Sequence, residues 1–132
     1  MTPVSSVRGE SSPHYTNMPR FQGVAERIRR HVPDARLIYM VRDPISRILS
    51  HWCHAVGAGY ETRPMEGALA RGDQSYVTRS RYWMQLQPYL EHFPAEQIAV
   101  IAQEELREDR DATMRRAFEF AGVDDPHFTS EQ

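Results

Sequence analysis

The segment Arg36-Leu-Ile-Tyr-Met-Val-Arg-Asp-Pro-Ile-Ser-Arg-Ile-Leu-Ser-His-Trp52 constrains the fold of this chain more than any other. Leu37 to Val41 is an unbroken apolar run with the length and bulk of a buried parallel strand. Arg42 stands at its end, and Asp43-Pro44 then reads as an N-cap followed by proline in the first helical turn. From Ile45 the apolar spacing turns helical, with Ile45, Ile48, Leu49 and Trp52 on one stripe. The chain therefore leaves a strand through an arginine and enters a helix almost at once. In open α/β sheets, the carboxyl end of a strand is where ligands bind.

Arg42 and Ser50 flank that junction. A guanidinium at the strand exit and a hydroxyl two turns into the helix can converge on one anion, with charge-assisted planar donors from the arginine and a neutral donor from the serine. The plainer alternative pairs Arg42 with a neighbouring acid and leaves Ser50 in solvent. Arg-Asp-Pro followed by Ser at this spacing resembles the 3′-phosphate-binding segment of sulfotransferases that use the sulfate donor PAPS, with flanks most similar to the heparan-sulfate-type and bacterial branch. The resemblance implies that Arg42 and Ser50 grip the 3′-phosphate of PAPS, or of its product PAP. It also implies an α/β, P-loop-NTPase-like sulfotransferase fold, an incomplete parallel sheet flanked by helices.

Other segments follow in the same order as in that family. Gly9-Glu-Ser-Ser-Pro-His-Tyr15 resembles the turn lining the acceptor side of the cleft, which makes Glu10, Ser11 and His14 substrate-side candidates. Ser11 stands where a lysine is often found. Glu10 and His14 can exchange protons near neutral pH, or merely be polar turn residues. Thr78-Arg-Ser-Arg-Tyr82 resembles the start of the helix beside the acceptor groove. Arg79 and Arg81 there can face an anionic acceptor or simply solvent, and Tyr82 can be a substrate-side or a core residue. The stretch from Phe93 to Asp109, Phe-Pro-Ala-Glu-Gln-Ile-Ala-Val-Ile-Ala-Gln-Glu-Glu-Leu-Arg-Glu-Asp, resembles the strand and loop that brace the nucleotide site. Glu104 and Glu105 within it read as bracing and capping groups.

Periodicity predicts further elements: a short strand at Val4 to Arg8, an amphipathic helix over Phe21 to His31, and a glycine-rich loop over Val56 to Gln74 with a short helix at Pro64 to Leu69. A long helix is expected over Tyr76 to Phe93, kinked near Pro88. A second parallel strand at Ile98 to Ala102 and a helix at Ala112 to Ala121, stopped by Gly122, complete the set. The whole of residues 1–132 reads as a single partial domain, with a disordered or truncated tail at 124–132.

Composition narrows the function. The net charge of −2 argues against a nucleic-acid binder. No apolar run reaches the roughly 20 residues of a membrane span. The chain holds no lysine, its 16 basic residues all being arginine, so it cannot by itself complete a Walker-type phosphate loop. His51, Cys53 and His54 invite a metal, but no second ligand cluster accompanies them; Cys53 is expected to fill core space. One cysteine and no signal-like start make a cytoplasmic location the expectation. The implied partners are a nucleotide donor and a hydroxylated acceptor; unpaired sheet edges mean that another chain completes the sheet, that the sequence is a fragment of a longer gene product, or that the domain is marginally stable. Three readings stand: a sulfotransferase or its C-terminal portion, a non-catalytic PAP-binding module, and a degenerate interaction domain.

Overall fold

A computed structural model describes residues 7–70 and 75–123 of the 132. Two parallel strands, β1 (Leu37–Val41) and β2 (Ile98–Ala102), pair in register from Leu37 opposite Ile98 to Val41 opposite Ala102. The helices are α1 (Val24–His31), α2 (Pro44–Gly57), α3 (Met65–Ala70), α4 (Ser75–Thr78), α5 (Tyr82–His92), α6 (Gln103–Glu108) and α7 (Arg110–Ala121). This is the α/β architecture expected, an incomplete parallel sheet with helices packed around it.

On one side, Ala25 of α1 and Tyr89 and Phe93 at the end of α5 form a buried cluster against Ile28, Leu37, Leu86 and Ile98. Helical spacing on α1 and α5 brings these apolar side chains to a shared face. Gln97, in the 3-10 turn before β2, donates to the carbonyls of Pro33 and Ala35 and so ties the entrances of both strands together. A second cluster, Ala55, Ala68 and Tyr76, packs against Ile48 and Trp52 and joins α2 to α3 and α4. Glu61, only 6% exposed, anchors the intervening turn. Its carboxylate accepts from Arg63 Nε at 2.8 Å and Nη2 at 2.7 Å, from the Thr62 and Arg63 amides, and from Tyr76 Oη at 3.1 Å. The Arg63 side chain and amide, then the Tyr76 hydroxyl, hold the Glu61 pKa down at about 2.

Five expectations are corrected. The long helix over Tyr76 to Phe93 is two helices, broken at 79–81 and not at Pro88. The carbonyl of Thr78 accepts from the buried Gln85 amide, and Ser80 Oγ donates back to Tyr76 O, so the end of α4 is satisfied without continuing. Pro88 sits inside α5. Second, α2 turns Ile48, His51, Trp52 and Ala55 inward, which leaves Ile45 72% exposed and places Cys53 on the exposed side rather than in the core. Third, the stretch after β2 is helical, and α7 begins at Arg110. Fourth, α1 starts at Val24 behind Gly23, whose φ of 68° suits a residue without a Cβ. Fifth, Val7 and Arg8 are not in a strand. The rest of that expected strand and the tail at 124–132 lie outside the described residues.

Two outcomes are expected. Phe93→Ala empties a position that is 2% exposed and lowers unfolding free energy by about 3 kcal/mol in a urea titration. Because the folded-state pKa of Glu61 is depressed, its stabilisation is complete above the ordinary carboxylate value and drains away as pH falls towards about 2. Thermal melts recorded from pH 7 down to pH 2 therefore show a falling Tm, and Glu61→Gln flattens that slope while starting from a lower Tm at pH 7.

Candidate functional site

The carboxyl end of the sheet is built as an elbow. The ladder ends at Val41 opposite Ala102, and the chain turns through Arg42 into α2. Asp43 caps that helix by accepting from Ser46 N at 2.7 Å, with Pro44 as the first helical residue. The Ser46 N–H lowers the Asp43 pKa. Asp43 N in turn donates to Glu104 Oε1 at 2.9 Å, and that N–H lowers the Glu104 pKa. Tyr82 reaches the same place from α5: its hydroxyl donates to Arg42 O at 2.9 Å and stands 3.4 Å from Arg42 N. The Tyr82 ring also meets Tyr39 edge-on at 5.9 Å. Glu105 faces elsewhere, accepting from Ala102 N at 3.0 Å and pairing with Arg116 at 3.1 Å. Bracing and capping, as read for the two glutamates, is what they do.

A cavity of about 540 Å³ opens above this elbow, lined by Met40, Val41, Arg42, Arg47, Ser50, His51, His54, Tyr82, Gln103 and Leu106. Arg42 and Ser50 therefore border one hollow. So does Arg47, whose Nη1 donates to Ser80 Oγ at 3.2 Å and whose carbonyl lies 3.4 Å from Arg42 Nη2. Among the described residues, neither Arg42 nor Arg47 forms an ion pair with a carboxylate. Burial, and then the like charges of Arg79 and Arg42, pull the Arg47 pKa below its ordinary value, against the opposing influence of Tyr82 and Tyr39. Guanidinium groups kept together without a paired carboxylate make a site suited to an anion.

The other candidates are placed differently. Glu10, Ser11, His14 and Arg79 are not among the lining residues. Glu10 accepts from Tyr15 Oη at 2.5 Å, Ser11 is exposed, and His14 packs edge-on to Phe21 at 5.3 Å. Arg79 Nε donates to the buried Asn17 at 2.8 Å, which ties the amino-terminal turn to the break before α5. Tyr82, read as a substrate-side or a core residue, does border the cavity, with its hydroxyl on the main chain of Arg42. No group of three or more metal-ligating side chains exists among the described residues. His51 and His54 border the cavity while Cys53 faces away. Sequence reasoning missed Arg47. The signal was present, since positions 47, 50, 51 and 54 share one face of a helix.

Comparison with known proteins agrees on one kinship. Residues 4–127 match the family described as "Sulfotransferase family". Heparan sulfate glucosamine 3-O-sulfotransferases 3B1 and 3A1 of Mus musculus are each 29% identical over 118 residues, covering 80% of this chain and 30% of theirs. The crystal structure of a sulfotransferase from Alicyclobacillus acidocaldarius superposes with a TM-score of 0.75 at 29% identity, covering 96% of this chain and 58% of that one. The chain thus spans about a third of the curated relatives it matches and just over half of the solved one.

Removing the Glu104 carboxylate unpins the elbow. In Glu104→Ala, the Asp43 amide is expected to exchange with solvent roughly tenfold faster by NMR, with the amides of β2 unchanged.

Proposed function

The chain belongs to the sulfotransferase family, and on that premise we propose that its cavity receives the 3′-phosphate of the donor PAPS and of its product PAP, through Arg42 and Ser50. The observation carrying this reading is that a strand-exit arginine and a helix serine border one hollow in which two guanidinium groups have no carboxylate partner among the described residues. Phosphate chemistry fits that donor set: Arg42 supplies paired N–H groups, Ser50 a hydroxyl, and Arg47 a further positive charge. When bound, the nucleotide supplies an activated sulfuryl group for in-line transfer to a hydroxyl or amine. The residues of this chain bind and orient, and holding the 3′-phosphate fixes the direction in which the far end of the donor points. The names of the mouse relatives specify a glucosamine hydroxyl; a carbohydrate or small hydroxylated acceptor is the class assigned here.

Transfer also needs positive charge where the leaving phosphate develops negative charge. The family resemblance assigns that role to a lysine in a phosphate loop, and this chain has no lysine. On this reading catalysis requires a lysine supplied from outside the 132 residues. By itself, the chain is read as donor-binding only.

Isothermal titration with PAP tests the reading. The chain binds, Arg42→Ala weakens binding by roughly 10- to 100-fold and Ser50→Ala by roughly 3- to 10-fold, while transfer of radiolabelled sulfate from PAPS stays at background. Equal binding by the chain and by Arg42→Ala overturns the assignment. Sulfate transfer by the purified chain overturns the claim that it needs a lysine from elsewhere.

A further inference from the structure

Arg42 leaves the sheet one residue after the ladder has ended. A buried main chain needs partners for its N–H and C=O, and those of Arg42 lie beside a single side-chain atom, the Tyr82 hydroxyl 40 residues further on. A phenol suits this position because one oxygen both donates and accepts. Three contacts fix where that oxygen sits. The Tyr82 ring rests edge-on against Tyr39 of β1. Ser80, two residues earlier, is buried and bonded to both Tyr76 O and Arg47 Nη1. Gln85, three residues later and 1% exposed, is bonded to Met18 and Thr78.

Arg42 needs such a hold. Its charge repels that of Arg47, it forms no ion pair among the described residues, and its Nη2 makes only a long bond of 3.4 Å to Arg47 O. Small changes in the φ and ψ of Arg42 swing the end of its long side chain by ångströms. We propose that Tyr82 is a positioning residue: by bonding the main chain of Arg42 it aims the guanidinium into the cavity, and so sets affinity for the 3′-phosphate through Arg42. This inference rests on the nucleotide reading above.

Four forms of the full chain separate the two: wild type, Tyr82→Phe, Arg42→Gln and the double variant, each titrated with PAP and followed by NMR, which reaches millimolar Kd. Tyr82→Phe is expected to weaken PAP binding about fivefold, and to change it less than twofold when Arg42 is already glutamine. The Arg42 amide in ligand-free Tyr82→Phe exchanges faster, while the Val100 and Ile101 amides of β2 keep their protection. A fivefold loss of equal size in both backgrounds marks a general structural effect and overturns the inference. So does Arg42-dependent binding that Tyr82→Phe leaves untouched. Absence of PAP binding by wild type, or binding indifferent to Arg42→Gln, overturns the nucleotide reading and this role of Tyr82 with it; the exchange data then still report whether the hydroxyl braces the elbow.

Discussion

The parallel ladder from Leu37–Ile98 to Val41–Ala102 decides where every functional group of this chain stands. Because the two strands run side by side and end together, Arg42 and Gln103 emerge at the same height and border the same cavity. Glu104, one residue further, is then within reach of the Asp43 N–H. A slip of one residue would send the strand's side chains to opposite faces. The apolar cluster around Phe93, Leu37 and Ile98 holds that register from one side, and Gln97 pins both strand entrances.

On this frame the molecule keeps positive charge in a half-buried place. Arg47 is partly desolvated and faces the like charges of Arg42 and Arg79. Such an arrangement destabilises the ligand-free chain and rewards an anion that enters. It persists because the main chain beneath it is tied down several times over: Asp43 to Ser46, Asp43 to Glu104, and Arg42 to Tyr82. The carboxylates of Asp43 and Glu104 accept from backbone N–H groups, and neither Arg42 nor Arg47 forms an ion pair among the described residues. A rigid elbow under unneutralised guanidinium groups is the physical basis of the proposed phosphate grip.

Much of this was legible in the residues. Apolar runs of strand length gave both strands to the residue, and Asp43-Pro44 marked the start of α2. The order of short segments pointed to the family. What the sequence concealed were effects of distant partners. The break between α4 and α5 depends on Gln85 reaching back to Thr78 and Met18, a choice that helical periodicity cannot express. The inward face of α2 is hidden from periodicity because Ile45 and Leu49 share helical spacing with Ile48 and Trp52, yet only the latter two meet the Tyr76 cluster. Tyr82 looked like a substrate or core residue, since nothing local shows that its hydroxyl meets a main chain 40 residues away. Arg47 lies inside the Arg42–Ser50 spacing and belongs to no motif of its own, so only its place on the helix face shared with Ser50, His51 and His54 marks it.

The most direct test of a phosphate grip at this elbow is a crystal structure of the chain soaked with PAP. The grip requires density for the 3′-phosphate between the Arg42 guanidinium and Ser50 Oγ, within hydrogen-bonding distance of both. Nucleotide bound with its 3′-phosphate elsewhere, for instance in the smaller hollow of about 240 Å³ beside Tyr15 and His92, would contradict it.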